Sequence, residues 1–329
     1  MCNYGAAMPV SEDEMVELVR RGLGALGSLD GATLLLSPSG SMFDEWEVPA
    51  RARERTFQLA RKTKARAILC ETRVDTLTDA AVQQYADIFN DRECGIGLGL
   101  ESATPWVLKY CVNKALSLDG YRSAVAMLRR HGVLSTANVL LGPPFLSEAE
   151  AIEDSVASIR WAFAAGADQC VLFPAQVKSF TLVEWLWQRQ MYSPPSLWSL
   201  IEVLSRVGPE LTPRVTISWY KDYGAAGETS DDADDSPVLA SPSTCPECHD
   251  AVMTLLDEYR DRGHFDVIQE LAGFECDCRL RWLAALQVPE PALLAERVAH
   301  AYEAIGRDVL GEQWWLRHGD AVRDDVLAD

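Results

Sequence analysis

The chain has 329 residues, of which 48% are hydrophobic and 24% are charged, and its formal net charge is −19. This composition excludes disordered and collagen-like chains and provides enough apolar residues for a core. No apolar run approaches the roughly 20 residues of a membrane-spanning helix, and no export signal is visible. We therefore expect a cytoplasmic protein with reduced thiols and no membrane partner. The acidic balance argues against general nucleic-acid binding, which requires a basic face.

Short apolar runs alternate with amphipathic helical patterns over the first two thirds of the chain, which predicts βαβ units and a parallel sheet. The predicted strands are 32–37, 67–71, 95–99, 134–140, 169–173 and 215–219. The helices predicted between them are 11–26, 51–63, 78–90, 117–131 and 147–164. Six strands joined by five crossovers indicate an α/β fold, with a partial or complete barrel over residues 1–220.

The composition changes after the last predicted strand. Residues 221–244 are rich in small and acidic residues, and we predict an acidic linker or loop there. Residues 245–329 return to helical patterns, near 250–262, 279–285 and 292–309. The sequence therefore predicts a second, mainly helical region.

Two close cysteine pairs predict a metal site in this helical region. Cys245 and Cys248 are followed, after 27 intervening residues, by Cys276 and Cys278. Four thiolates around one tetrahedral centre are what structural zinc takes. Buried or disulfide-linked cysteines without a metal are the alternative, and a reducing compartment disfavours disulfides. The spacing does not distinguish zinc from iron.

The segments that follow the predicted strands carry the chemistry in a barrel of this kind, because the carboxyl ends of the strands share one face. The informative segments are Ser39–Asp44, Glu71–Arg73, Gly99–Ser102, Gly142–Leu146 and Thr181–Glu184, preceded by Cys2 in Met1–Gly5. In this order they resemble radical S-adenosylmethionine (SAM) enzymes, and more narrowly the elongator-like branch that includes the archaeosine-biosynthesis radical protein. The similarity runs from Cys2 to about Val207.

The resemblance implies a partial (β/α)6 radical SAM barrel that lacks its first strand and carries a helical, zinc-bearing appendage. It also implies a [4Fe-4S] cluster held by three cysteines, with SAM bound to the cluster as the source of a 5′-deoxyadenosyl radical. Cys2 matches the last cluster cysteine, and the strand and two cysteines that precede it in the family have no counterpart here. Either the native chain begins earlier, which we favour, or this is a short form that has lost its cluster.

A lone thiolate does not hold a cubane cluster stably, so we expect the chain as given to be deficient in radical chemistry. The cysteines on the predicted strands and helices do not replace the missing ligands by spacing. We interpret them as core or surface thiols: Cys70, Cys94, Cys111 and Cys170.

The resemblance also assigns cofactor-binding residues. They are Cys2, Ser39, Ser41, Glu71, Arg73, Glu101, Ser102 and Asn138. Arg73 would pair with the methionine carboxylate through its planar fork, and Glu71 and Glu101 would accept hydrogen bonds from the ammonium group or ribose hydroxyls. An internal ion pair is the alternative for Glu71 and Arg73. Gln176 and Lys178 are assigned to the substrate end from their position alone.

We therefore interpret the chain as a radical SAM oxidoreductase or lyase that acts by hydrogen abstraction. Its expected partners are a small-molecule substrate or a modified tRNA, and an electron donor such as flavodoxin or ferredoxin. One alternative is a cluster-free barrel that serves as a binding or scaffold protein. Another is an archaeosine-type tRNA-modification lyase, which the net charge of −19 disfavours.

Overall fold

The computed structural model describes residues 10–38, 40–221 and 238–328. Cys2, Ser39 and residues 222–237 of the predicted acidic linker lie outside the described residues.

One six-stranded parallel sheet curls into a half-barrel and carries the core, with strand order β1-β2-β3-β4-β5-β7. Its strands are β1 (Thr33–Leu36), β2 (Ala67–Thr72), β3 (Glu93–Glu101), β4 (Leu134–Leu141), β5 (Gln169–Pro174) and β7 (Val215–Ile217). Two short strands, β6 (Val177–Lys178) and β8 (Val238–Ala240), form a separate antiparallel ribbon. The predicted α/β fold and all six predicted strands are confirmed. Strand β8 was not predicted and lies inside the stretch interpreted as a linker.

Helices connect the strands and continue to the C-terminus. They are α1 (Glu12–Ala25), α2 (Ala50–Arg61), α3 (Asp79–Ile88), α4 (Pro105–Val107), α5 (Leu118–Arg130), α6 (Glu148–Ala164), α7 (Leu182–Gln188), α8 (Leu197–Val207), α9 (Pro246–Arg262), α10 (Phe265–Gly273), α11 (Asp277–Leu286), α12 (Leu294–Ile305) and α13 (Glu312–Ala328). Ser147 begins α6 with a capping box, in which the Ser147 and Glu150 side chains each accept a backbone N–H bond from the other residue. No helix among the described residues is both long enough and apolar enough to span a membrane.

The helical C-terminal region packs onto the sheet region in two places. Val252 of α9 and Ile268 of α10 are fully buried in the same hydrophobic cluster as the sheet. Val298 of α12 and Val326 of α13 instead join Val107 of α4 in a smaller cluster. The C-terminal helices therefore share their apolar contacts with the strands and helices that precede them.

The four cysteines interpreted as core or surface thiols are all buried: Cys70, Cys94, Cys111 and Cys170. Burial raises the pKa of Cys94 to about 11 and that of Cys111 to about 12. These thiols are therefore neutral at physiological pH and unsuited to reaction or metal binding.

Candidate functional site

A cleft of about 520 Å³ opens where the parallel strands reach their carboxyl ends. It brings together six of the residues predicted as cofactor- or substrate-binding: Glu71, Arg73, Glu101, Asn138, Gln176 and Lys178. They come from four separate segments of the chain, and the common direction of the strands gathers them at one edge of the sheet. This cleft is the candidate active site.

Glycines on β3 keep the floor of the cleft open. A Cβ atom on Gly97 would lie 3.2 Å from Cγ of Glu71, and one on Gly99 would lie 2.5 Å from Nζ of Lys114. Because β3 carries no side chain at Gly97, Nδ2 of Asn138 on β4 reaches across it and donates to Oε1 of Glu71 on β2, at 3.1 Å. The cleft therefore has a polar floor formed by two strands that are not neighbours.

Glu101 ends β3 in the left-handed conformation, with φ 64°, where the register between β3 and β4 shifts. This conformation costs a non-glycine residue roughly 1–2 kcal/mol and persists where surrounding contacts fix it. Nζ of Lys114 donates to Oε1 of Glu101 at 3.0 Å and to the carbonyl oxygen of Gly99 at 2.7 Å. Lys114 lines the cleft but was not predicted, because no motif marks it. It follows Asn113, another left-handed residue in the cleft wall.

The guanidinium group of Arg73 is held by acidic neighbours. Nη1 donates to Glu47 at 2.8 Å, Nη2 donates to Asp44 at 2.5 Å, and Nε donates to Asp75 at 3.3 Å. A backbone N–H bond from Trp46 and the charge of Arg73 hold the pKa of Asp44 below its usual range, although burial opposes them. Arg73 thus forms internal ion pairs, with partners other than Glu71.

Two predicted hydroxyl donors lie away from the cleft wall. Ser41 is 2% exposed, and its Oγ accepts a bond from the backbone N–H of Arg73 at 3.2 Å. Ser102 is fully buried and donates to Oδ1 of Asp154 at 2.9 Å. Both side chains therefore support segments that carry cleft residues, and neither lines the cleft.

The predicted substrate residues lie together at the other side of the cleft. Nζ of Lys178 is 4.3 Å from the ring centroid of Trp219, which is left-handed with φ 57°. Nε2 of Gln176 donates to the carbonyl oxygen of Lys221 at 3.1 Å, while its buried Oε1 has no hydrogen-bond partner among the described residues. Trp219 was not predicted, and its place in the cleft follows from the turn after β7.

The four cysteines of the helical region meet in one cluster. Their sulfur atoms all lie within 4.8 Å of one another, and three of the separations are 3.5 Å. A disulfide needs about 2.05 Å, whereas four sulfurs at about 2.3 Å from zinc lie about 3.8 Å apart. The arrangement therefore fits a tetrahedral metal and not disulfides. Its members are Cys245, Cys248, Cys276 and Cys278.

Local structure explains why these thiols suit a metal. Cys245 is the residue directly before α9 and Cys276 the residue directly before α11, so the two helix starts bring the cysteine pairs together. Nε1 of Trp198 on α8 donates to the sulfur of Cys278 at 3.2 Å. Burial opposes ionisation of Cys278, but bonds from the Cys245 backbone and from Trp198 lower its pKa to about 7.

The described cysteines do not provide ligands for a cluster at the cleft. Four are buried in the core or under α12, and four form the cluster beside α8. No cysteine is among the described residues that line the cleft. Cys2, the predicted cluster ligand, lies outside the described residues.

Comparisons with known proteins give relatives and a fold. No protein-family model matches the chain. The chain is 28% identical over 295 residues to archaeosine synthase subunit beta of Methanosarcina acetivorans, covering 88% of this chain and 80% of that protein. It is 30% identical over 209 residues to archaeosine synthase subunit beta of Thermococcus kodakarensis, covering 62% and 64% respectively. The structure of Methanocaldococcus infernus Elp3 with an N-terminal deletion aligns with a TM-score of 0.52 at 17% identity, over 80% of this chain and 59% of that one.

Proposed function

We propose, because the chain belongs to the elongator-like archaeosine branch of the radical SAM superfamily, that its cleft binds SAM. We further propose that the functional protein is a radical-type enzyme that abstracts hydrogen from its substrate. The observation that supports this proposal is the single cleft that gathers Glu71, Glu101 and Asn138 at the carboxyl ends of adjacent parallel strands.

The cleft offers groups that match SAM. SAM carries an ammonium and a sulfonium charge, and Glu71 and Glu101 supply carboxylates for the ammonium group and for ribose hydroxyls. Arg73 uses three of its five N–H donors within the protein, on Asp44, Glu47 and Asp75, so its charge is already shared by three carboxylates. Lys114 uses two of its three N–H donors and pairs with one carboxylate, that of Glu101. Because Lys114 has the less neutralised charge, we assign the methionine carboxylate to Lys114.

Calorimetric titration with SAM tests this assignment. Glu101→Ala should weaken SAM binding at least about tenfold, because it removes a charged hydrogen-bond partner. Glu93→Ala is the matched control, since Glu93 begins the same strand that Glu101 ends and pairs with Arg66 on the surface. Absence of SAM binding by the wild type, or equal binding by both variants, would show the proposal to be wrong.

A [4Fe-4S] cluster would supply the electron that cleaves SAM. The described residues place no thiolate at the cleft, so they do not fit such a cluster by themselves, and we assign none of them to one. This observation favours a second candidate function, a cluster-free SAM-binding or scaffold protein. Anaerobic treatment of the native protein with iron and sulfide, followed by SAM and a one-electron reductant such as dithionite, separates the two. Cluster absorbance with release of 5′-deoxyadenosine supports the enzyme, whereas SAM binding without either supports the scaffold.

We propose Gln176, Lys178 and Trp219 as the substrate end of the cleft. An aromatic ring beside a cation suits a nucleobase or another planar group. The relatives are named as beta subunits, so we propose that this chain works with a second subunit. A modified tRNA is one candidate substrate. The net charge of −19 implies that the second subunit would supply the basic surface, or that the substrate is a small molecule.

Gel shifts with tRNA at several salt concentrations, with and without the second subunit, test whether the substrate is a tRNA or a small molecule. Binding only in the presence of the subunit supports a shared tRNA site, and no binding in either case supports a small molecule. A ferredoxin or flavodoxin is the proposed electron donor.

We propose a structural Zn²⁺ ion at the four-cysteine site. Four protein ligands would leave no open position for catalysis. Metal analysis of protein purified with and without chelator tests this, and iron in place of zinc would contradict it. Cys276→Ser should lower the zinc content. A site built from reduced thiols also supports a location in the cytoplasm.

A further inference from the structure

We propose that Asp154 is a positioning residue, which holds Glu101 in the cleft through the turn formed by residues 101–104. This segment is called the Glu101 turn below. The inference depends on the proposed binding role of Glu101, and it names the group that sets the geometry of that side chain.

The Glu101 turn is tied to α6 by hydrogen bonds from its hydroxyl groups. Oδ1 of Asp154 accepts a bond from Ser102 Oγ at 2.9 Å and another from Thr104 Oγ1 at 2.6 Å. Both donors lie within three residues after Glu101. The φ of Glu101 is 64°, and contacts around it must maintain this unfavourable backbone conformation. One carboxylate oxygen thus fixes the two residues that determine how the chain leaves the strained position.

Two further bonds complete the attachment. Ser158, one helical turn after Asp154 on α6, accepts from the backbone N–H of Ala103 at 2.7 Å. The backbone N–H of Thr104 donates to Oγ of Ser102 at 3.0 Å. Since α6 has 17 residues and packs against β4 and α8, it is a rigid support for the turn.

The burial of Asp154 is difficult to explain by stability alone. Asp154 is 8% exposed. Among the described residues, its Oδ2 has no hydrogen-bond partner and no cation forms an ion pair with it. A buried carboxylate without a cation is costly. What it provides is a strong acceptor that serves two hydroxyls from one atom. Placing a costly group there is understandable if the turn must stay fixed.

Hydrogen exchange of the apo protein tests the proposal directly. Asp154→Ala should speed exchange of the Ala103 and Thr104 amides by about tenfold or more, because the turn loses its anchor. Asp154→Asn keeps an acceptor oxygen and should remain within about threefold of the wild type. Calorimetry should give the same ranking for SAM affinity: Asp154→Ala should bind SAM more weakly than Asp154→Asn, and Asp154→Asn should bind it nearly as well as the wild type.

Asp168→Ala is the matched control for general destabilisation. Oδ2 of Asp168 accepts from the backbone N–H and the Oγ of Ser135, at 2.8 and 2.9 Å, at the opposite end of β4 from the cleft. It should lower stability without changing exchange in the Glu101 turn or SAM affinity. Equal effects of Asp154→Ala and Asp168→Ala would overturn the positioning role.

Two further outcomes separate this inference from the proposed function. If Asp154→Ala frees the turn but the wild type does not bind SAM, the proposed function fails and the structural role of Asp154 stands. If SAM binds, Asp154→Ala should add no further loss of affinity in a Glu101→Ala background, because both changes remove one interaction. Additive losses, or a turn that exchanges as in the wild type, would contradict the inference.

Discussion

Nδ2 of Asn138 on β4 donates to Oε1 of Glu71 on β2 at 3.1 Å, although β3 lies between the two strands. The bond exists because Gly97 leaves the intervening position empty. It also fixes the orientation of both side chains: the amide of Asn138 faces Glu71, since a carboxylate only accepts. The carbonyl oxygen of Asn138 and the second oxygen of Glu71 are then directed to other partners.

Asn138→Asp should make SAM binding pH-dependent. Two carboxylates at about 3 Å repel unless they share a proton, so the variant keeps the bond at low pH and loses it as the pH rises. Affinity for SAM should therefore fall between about pH 5 and pH 8, whereas the wild type changes little. Calorimetric titration at several pH values measures this.

Asn113→Asp is the matched control, because Asn113 lines the same cleft and has no hydrogen bond to Glu71. Asn113→Asp adds the same charge and should change the affinity for SAM, but that affinity should not fall between about pH 5 and pH 8 as it does in Asn138→Asp. If the two variants give the same profile, the bond between Asn138 and Glu71 does not organise the site.

Side chains that fill the floor of the cleft should weaken the proposed binding of SAM. A Cβ on Gly97 approaches Cγ of Glu71 to 3.2 Å, which is tighter than most real contacts, so Gly97→Ala should weaken SAM binding several-fold and Gly97→Val should abolish it. Gly120→Ala on α5 is the control. There the Cβ meets Ser117 at an ordinary 3.5 Å, and replacing a helical glycine should stabilise the fold by up to about 1 kcal/mol. Unchanged SAM binding by Gly97→Val would contradict the cleft assignment.

The sheet could be predicted because each of its strands is an apolar run followed or preceded by an amphipathic helix. The gathering of Glu71, Glu101 and Asn138 could also be predicted, since the carboxyl ends of parallel strands meet at one edge. The four cysteines could be grouped from their spacing alone. In each case a local pattern determines where the residue lies.

The contacts that set the chemistry of the cleft could not be predicted, because they join distant segments. Nothing near Lys114 indicates that it pairs with Glu101, and nothing near Asp154 indicates that it binds Ser102, 52 residues away. Ser102 itself was predicted as a cofactor donor, whereas its hydroxyl is buried against α6. Side-chain direction at a strand end depends on the bulge there, and the sequence does not specify that bulge.

The ion pair between Glu150 and Arg297 should stabilise the docking of α12. Nη2 of Arg297 lies 2.6 Å from both carboxylate oxygens of Glu150, and Nη1 donates to the carbonyl oxygen of Phe145 at 3.0 Å. Burial opposes ionisation of Glu150, yet the bonds from Arg297 and Ser147 hold its pKa below the ordinary value of 4.5. A carboxyl with a lowered folded-state pKa contributes stability above its unfolded pKa and loses it as the pH falls through the folded value.

Glu150→Gln should therefore reduce the free energy of unfolding by about 1–2 kcal/mol at pH 7 and by almost nothing well below pH 4. Urea unfolding at both pH values measures this. Glu153→Gln, on the same helix, removes the exposed partner of Arg206 and should cost less than about 0.5 kcal/mol. A pH-independent loss in Glu150→Gln would show that packing, and not the charge pair, holds α12.

If the four-cysteine site holds the proposed zinc ion, removing that ion should loosen the contact of α9 and α11 with α8. Without a cation, no ligand bonds would join the sulfur atoms of the α9 segment to those of the α11 segment, which lie 3.5 Å apart in the closest pairs, and the bond from Trp198 to Cys278 would weaken. At a free zinc concentration about 1,000 times the Kd, the ion contributes about 4 kcal/mol to stability. Chelation under reducing conditions should therefore lower the Tm by about 10 °C and shift tryptophan emission to longer wavelength, and added zinc should reverse both changes.

Trp198→Phe is the control for the origin of the emission change. This variant should keep the metal content and diminish the emission change. Loss of the metal with no change in Tm would mean that the site does not hold these helices together.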